Sequence, residues 1–418
     1  MSIFLQRREK LFSKMLDNSA SIFFAGVTKT ANEDAELPFV VNKNFYYLTG
    51  IDQPGSVLLL VKGLGENKTY LFIDEYNAVK EKWTGKKLTP AEASEISTIS
   101  NISSNATLDT FLSMILSNEA TEYGIINKLY IDLTPEIKID SQTSTKDLAE
   151  AINKKKDFVE IINVKPILTE MRMVKSFHEV EEIKKAINLT ANGISNLILN
   201  MKAGDFEYSL ADAFEFYGRS HDRSKLAFDT IVASGKNATI LHYPTQNDRI
   251  QENDLVLFDL GFAHKYYCAD ISRTYPISGT FTEKQRKVYE AVLNCNKALI
   301  EYAKPGLYLK DLQAFAVEFL KNECLRLKLI KSEDEIIKHY YHNCSHHLGL
   351  DTHDCANREL PLVPGNVITI EPGLYFAEDN IGVRIEDDIL ITEGRSENLS
   401  YMIVKEIEDI ERLFKMKG

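Results

Sequence analysis

Four of the chain's nine histidines fall within twelve residues, in "HNCSHHLGLDTHD" (342–354): His342, His346, His347 and His353. Imidazole titrates near neutrality and is the commonest metal-binding side chain, so the cluster is a candidate for acid/base work or metal ligation. Cys344 and Cys355 flank it and raise a soft-metal alternative. Carboxylates elsewhere in the chain offer better ligands for harder ions.

Those carboxylates stand in two similar settings. "DLVLFDLGFAHKYYCADISRTYP" (254–276) reads as an apolar strand, a polar turn at 263–265 and a second strand. It places Asp259 and Asp270, 11 residues apart, on facing strands. "VITIEPGLYFAEDNIGVRIEDDILIT" (367–392) repeats the device with Glu371 and Glu386, 15 apart, around the reversal signal "AEDN". Asp259 corresponds to Glu371 at an offset of 112, and Asp270 to Glu386 at 116. His242 precedes Asp259 by 17 residues and His353 precedes Glu371 by 18. The spacing therefore predicts two related halves that face one another, each contributing two acids.

A carboxylate in an apolar strand is costly unless it is compensated. Arg273 and Arg384 could cover two of the four acids but not all of them. Two divalent cations would balance the four negative charges. With one imidazole added, oxygen-rich ligation favours Mn²⁺ or a similar first-row ion. A metal pair can clamp and deprotonate a water, which points to hydrolysis.

The elements that must position these residues are legible in outline. Over the first ~165 residues, "SIFFAGV", "SVLLLVK", "KTYLFID" and "KLYIDLT" read as strands, and "TPAEASEIS" and "STKDLAEAINKKK" as helices between them. That order predicts an α/β domain. Ser176 and Glu179 form a capping box that opens a long amphipathic helix, so the boundary is placed near Lys165 to Lys175, giving domains 1–168 and 169–418. His178, in its first turn, reads as a surface residue. Within the second domain "MKAGDFEYSL" (201–210) aligns with "AKPGLYLKDL" (303–312) at an offset of 102, and Thr282 and Gln285 repeat the capping box.

At 418 residues the chain is too long for one ordinary core. Lys+Arg 49 against Asp+Glu 61 gives a net charge of −12, which disfavours nucleic acid and anionic membrane as partners. The opening "MSIFLQRREKLFSKML" reads as an amphipathic helix and not as a signal peptide. No apolar run approaches the ~20 residues needed to span a bilayer. Five cysteines without a CxxC pair fit free thiols in a reducing cytoplasm.

Taken in order, "NATILHY" with "YPTQNDRI", "DLGFAHKYYCADISRTYP", "SHHLGLDTHD", "IEPGLY" and "GVRIEDD" resemble the metallopeptidases of the pita-bread fold. "NKNFYYLTGIDQPGSVLLL" and Glu81-Lys-Trp-Thr-Gly85 resemble the N-terminal domain of the aminopeptidase P family. The resemblance spans nearly the whole chain. It implies an α+β pita-bread catalytic domain with an internal pseudo-two-fold repeat behind the α/β domain. It also implies five metal ligands: Asp259, Asp270, His346, Glu371 and Glu386, with Asp270 and Glu386 bridging two ions. His242 and His353 match histidines that touch substrate and stabilise the tetrahedral intermediate, and His342 matches one lining the pocket of the residue after the scissile bond. Glu371 matches the proton shuttle as well as a ligand. His347 matches a variable position and reads as structural.

The implied reaction removes the N-terminal residue from peptides with proline second, by attack of a hydroxide bridging the two ions. A prolyl nitrogen carries no hydrogen, so a site that works on the carbonyl and the water suits such substrates. The alternatives are a prolidase restricted to Xaa-Pro dipeptides, a methionine aminopeptidase, and a non-enzymatic peptide-binding relative. The first-domain motif favours an Xaa-Pro aminopeptidase, and the complete ligand set speaks against a non-enzymatic role. The resemblance further implies a homo-oligomer, a dimer or larger. Among the remaining residues, Arg384 reads as a partner of a ligand carboxylate, and Asp387 and Asp388 as surface or turn acids. His221, His264 and His339 read as solvated. Trp83 either packs locally or covers a neighbouring subunit's site.

Overall fold

The structure, a computed structural model, describes residues 2–32, 35–117, 119, 121–134, 137–140, 142–222 and 224–417. Two compact units divide the chain, Met1–Thr169 and Glu170–Gly418.

In the first unit the four apolar runs become the strands Ser19–Phe24, Val57–Lys62, Lys68–Ile73 and Lys128–Ile131. Two short strands, Asn101–Ser104 and Glu160–Asn163, close the two edges of the sheet. The sequences NISS and EIIN carry little strand signal, because an edge strand needs only one hydrogen-bonding neighbour. The sheet order runs 101–104, 68–73, 57–62, 19–24, 128–131, 160–163. Strand 57–62 is antiparallel to both neighbours, and every other pairing is parallel. Pro90–Ser97 starts at a Thr89/Glu92 capping box and Thr145–Lys155 at a Ser144/Asp147 box. Each box satisfies helix N–H groups that lack an intrahelical partner.

The second unit repeats its own plan. Phe177–Asn200 opens at the Ser176/Glu179 box and Glu283–Tyr302 at the Thr282/Gln285 box. Each helix leads into a turn whose glycine adopts a left-handed conformation, Gly204 at φ +90° and Gly306 at φ +92°. A second helix follows in each half, Glu207–Asp222 and Leu309–Arg326. Each half then supplies a three-stranded antiparallel sheet, 231–234/255–260/271–276 in the first and 367–370/387–391/396–398 in the second. Leu260, Phe262, Tyr275, Tyr289, Ile370 and Ile385 belong to one continuous buried core. Burying each such side chain contributes about 1.5–3 kcal/mol before entropy is counted.

The two acid-bearing hairpins differ from the simple form the sequence suggests. In the first, Asp259 pairs with Ser272, not with Asp270. A small side hairpin, Phe262–His264 with Tyr267–Cys268, interrupts the reversal and turns at Lys265 and Tyr266, both with positive φ. Asp270 lies just before Ile271–Pro276. Gly261 makes this crossing possible, since a Cβ there would lie 1.9 Å from the Ala269 carbonyl oxygen. In the second hairpin Ile370 pairs with Asp387, so Glu371 and Glu386 flank the end of one ladder. Between them Gly373–Phe376 and Ile381–Arg384 pair and reverse through 377–380, with Asn380 left-handed at φ +56°.

Candidate metal centre

Asp270, Glu371 and Glu386 sit at breaks between strands, where the ladder no longer claims the backbone, whereas Asp259 stands within the strand 255–260, paired with Ile231 and Ser272. The histidine-bearing segment is irregular, but its main chain is laced to the 367–370 strand. Thr369 N donates to the His346 carbonyl (2.9 Å), Leu348 N to Val367 (3.0 Å) and Glu371 N to Cys344 (2.9 Å). This holds His346 beside Glu371. The two hairpins are joined by Glu386 N donating to the Ser272 carbonyl (3.0 Å).

The result is a converging donor set. Asp259, Asp270 and Glu386 each offer an oxygen within 4.8 Å of the others, and so do the donor atoms of His346, Glu371 and Glu386. Asp270, His346 and His353 form a third such group. The sets share Glu386, Asp270 and His346, and together contain all five residues expected as ligands. No cysteine joins them among the described residues; Cys344 is buried apart, and all five thiols are free.

Asp259 accepts from Arg384 Nη2 at 2.7 Å. Arg384 Nε also donates to Ser272 Oγ (2.7 Å), which in turn donates to Glu386 (2.7 Å). Arg384 thus orients one carboxylate directly and a second through a hydroxyl. The other arginine, Arg273, is committed to Asp387 at 2.7 Å. Among the described residues, three of the acids therefore lack a guanidinium partner. Burial raises Asp270 to about 6 and Glu371 to about 7, and drives Glu386 well above the ordinary carboxylate range, with the neighbouring acids adding to the shift in each. Burial alone would lower His346, but Asp270 and Glu371 outweigh it and raise the imidazole to about 9. Each shift has one cause in common: the pocket is short of positive charge.

The imidazole orientation fits a cation. His346 Nδ1 faces the His347 carbonyl at 3.0 Å and must carry the proton, because a carbonyl only accepts. Nε2, the nitrogen that a cation would take in place of a proton, lies 3.3 Å from Asp270 Oδ2 and 3.5 Å from Glu371 Oε1. A ligating histidine is characteristically fixed this way by its second nitrogen. Four oxygen donors, one imidazole and unbalanced negative charge together match two divalent ions.

The other predicted histidines surround this centre unequally. His242 and His353 are exposed and line a cleft of about 430 Å³ with Asp259 and Asp270. The His353 ring lies tilted against that of His346, with centroids 4.1 Å apart. His342 is largely buried and lies 3.7 Å from Glu371. Its Nδ1 donates to the Asn343 carbonyl (2.8 Å), so Nε2 accepts from Tyr375 Oη (2.9 Å). Burial, then Arg384, lowers His342 to about 4, keeping it neutral. A larger cavity of about 580 Å³ lies in the first unit beside Asp74, Glu81 and Lys87 and holds none of the five donors.

His347 is buried and stands outside the donor sets. Several expectations need correction. Asp387 and Asp388 are fully buried, not surface acids. Asp387 bonds to Arg273, Lys405 (2.6 Å) and Ser400 (2.7 Å), and Asp388 accepts the backbone N–H of Asp270 (3.2 Å). His264 is half-buried against Glu182 at 2.5 Å, and His339 stacks on Phe376. Their partners come from distant elements that no local pattern reveals. Trp83 is 85% exposed, which removes the local packing role.

Three contributors were not singled out in the sequence. Ser272 and Tyr375 sit in quoted motifs, and alternation from Asp270 and from Glu371 respectively would have pointed to them. The third is a buried ion triad in which Asp354 accepts from Arg172 Nη2 (2.5 Å) and Lys175 Nζ (3.0 Å). It anchors the loop carrying His346 and His353, and only its position directly after His353 hints at it.

The chain is similar to known proteins over nearly its whole length. Residues 181–393 match the model for metallopeptidase family M24, and residues 4–123 match the aminopeptidase P N-terminal domain. The chain is 34% identical to the Xaa-Pro aminopeptidase of Haemophilus influenzae over 98% of its own length and 96% of that protein. For the Escherichia coli Xaa-Pro aminopeptidase the figures are 32%, 98% and 97%. A structure of Escherichia coli aminopeptidase P with the inhibitor Pro-Leu superposes with a TM-score of 0.89 at 30% identity, covering 100% of this chain and 99% of that one. A provisionally assigned aminopeptidase P from Bacillus anthracis superposes at 0.95 with 41% identity, covering 100% and 98%.

Proposed function

This chain belongs to metallopeptidase family M24, as an aminopeptidase P of the pita-bread fold, and on that premise we propose how its residues divide the work. It is a metal-dependent exopeptidase, a hydrolase that releases the N-terminal residue from peptides with proline in second position. The convergence of Asp259, Asp270, His346, Glu371 and Glu386 carries the assignment of the site. Glu386 belongs both to the set with Asp259 and to the set with Glu371, and Asp270 shares a set with Asp259 while lying 3.3 Å from His346 Nε2, which supports bridging positions for the two acids; Asp259 would complete one shell, and His346 with Glu371 the other. Bound there, two divalent ions supply the Lewis acidity that polarises the scissile carbonyl and makes a water nucleophilic near neutral pH. The oxygen-rich set with one imidazole supports Mn²⁺.

Glu371 takes the proton of the attacking water and passes it toward the departing proline nitrogen. His353, beside His346 at the cleft, donates to the oxygen that gains charge in the transition state. His242 lines the same cleft and orients the substrate carbonyl. His342, held neutral and fixed by Tyr375, walls the pocket for proline. The free substrate amine lies against Asp259, which limits cleavage to one residue. Arg384 keeps Asp259 aimed and, through Ser272, keeps Glu386 aimed.

The first domain, residues 1–168, and the catalytic domain, 169–418, act together as a homo-oligomer in this reading. Tyr76, Val79 and Trp83 support it, being 74%, 67% and 85% exposed at helical spacing around Ala78–Thr84. Free cysteines support a reducing cytoplasm, and among the described residues no helix is long and apolar enough to cross a membrane. The test is hydrolysis of an Xaa-Pro dipeptide against an Xaa-Pro-Xaa tripeptide after chelation, then with Mn²⁺, Co²⁺ or Zn²⁺ restored. Tripeptide cleavage that returns with metal is expected. Cleavage of the dipeptide alone would make the protein a prolidase, and full activity without metal would overturn the centre.

A further inference from the structure

The identity of the first substrate residue is written in the cleft that receives it. That cleft of about 430 Å³ includes Asp259, the residue placed against the substrate amine, but neither His342 nor Tyr375, which wall the proline side. It is therefore the space for the first residue's side chain. Ile231 pairs directly with Asp259 across the 231–234/255–260 ladder, so the two side chains share a face, and both line the cleft. Two residues back along the chain stands Asp229, exposed and also lining the cleft. It precedes the strand, which begins at Ile231, and shares the cleft wall with Phe228, Thr230 and Ile231.

Charge and shape agree on what fits this arrangement. No lysine or arginine is among the described lining residues. Once two divalent ions offset the four ligand carboxylates, Asp229 is the remaining formal charge of the lining. Phe228 and Ile231 give the near wall an apolar surface ahead of it. An aliphatic stem ending in a cation matches that sequence of surfaces: the stem lies on the apolar wall while the charge reaches the carboxylate. We propose that Asp229 makes this peptidase prefer a basic first residue, lysine or arginine, before proline. The proposal rests on the Xaa-Pro reading above.

The test compares kcat/KM of the Mn²⁺-loaded protein for Lys-Pro-Ala, norleucine-Pro-Ala and Glu-Pro-Ala. Norleucine keeps the stem and removes the charge. An ion pair in an open cleft predicts lysine over norleucine by about two- to fivefold, and glutamate below norleucine by a similar factor. Both ratios shrink toward one as salt is raised. Asp229→Asn brings the lysine and norleucine values together, Asp229→Glu restores their separation, and Asp229→Lys inverts the order of lysine and glutamate. A purely structural role would lower all three peptides alike and leave the ratios untouched, which would overturn the proposal. Equal values for lysine and norleucine in the parent protein would do the same. Failure of the underlying reading looks different, since none of the three peptides would be cleaved. Calorimetric dissociation constants for free lysine and norleucine give a readout independent of turnover, with lysine binding tighter and Asp229→Asn removing the difference.

Discussion

Replacing Asp354 by asparagine tests whether the ion triad behind the histidine loop holds the centre in place. The Asp354 side chain is 1% exposed and lies between Arg172 at 2.5 Å and Lys175 at 3.0 Å, whose own side chains are 5% and 1% exposed. Asparagine keeps the volume and an acceptor but removes the charge. Arg172 retains Asp351 at 2.7 Å, whereas Lys175 has no other acid within ion-pair distance among the described residues. Breaking a buried pair costs about 3–5 kcal/mol, and the surviving Asp351 contact puts this case near the lower end, about 3 kcal/mol. For a unit of this size that is a fall in Tm of about 6–12 °C, read by calorimetry. The same substitution loosens the loop bearing His346 and His353, so Mn²⁺ affinity falls by about tenfold.

The pH dependence gives the prediction its sign. Burial alone would raise the Asp354 carboxyl, but Arg172 and Lys175 outweigh it and hold the pKa below the usual carboxylate value. A depressed acid stabilises fully above its unfolded pKa, about 3.9, and loses that contribution as pH falls through the folded value. The Tm gap between parent and Asp354→Asn is thus constant from pH 5 to 8 and closes below about pH 4. A gap under 2 °C at pH 7, or one that widens on acidification, would refute the account.

Three more outcomes follow from the same geometry. Glu371→Ala lowers kcat by about 10²-fold or more, while Tm holds or rises, because a buried acid pushed up to about 7 has been removed; a fully active variant would refute its role as shuttle. Metal binding at pH 7 releases protons, since His346 is raised to about 9 and Glu371 to about 7, and apparent affinity falls as pH drops toward 5.5; calorimetry in buffers of different ionisation enthalpy reads the proton count, and a count of zero contradicts the electrostatics. Gly382→Ala destabilises by about 1–3 kcal/mol in denaturant unfolding, because the new Cβ would lie 2.0 Å from the Ala238 carbonyl oxygen; an unchanged midpoint would contradict the close approach of strand and turn.

Much of this protein was legible without coordinates. The capping boxes at Ser176 and Thr282, the reversal at 377–380 and four of the six strands of the first unit's sheet are local events, governed by side chains within a few residues of one another. The two edge strands were not legible, because 101–104 and 160–163 are only four residues each and pair with a single neighbouring strand. The five donors were legible as a pattern: paired acids at matching offsets, each pair preceded by a histidine. What misled was the register. The spacing of Asp259 and Asp270 suggested cross-strand partners, yet the side hairpin at 262–268 shifts Asp270 to a position where it meets residues more than seventy positions away.

Sequence by itself determined which side chains are available and which helices and turns present them, since capping, alternation and turn chemistry act over a few residues. Only the tertiary structure decided which charges answer which. Arg384 goes to Asp259 and Arg273 to Asp387, and Asp387 and Asp388 turn out buried where their run of charge suggested solvent. Those pairings depend on how the two sheets of the second unit approach one another. Coulomb energy in a water-poor interior is set by ångströms of separation, not by distance along the chain.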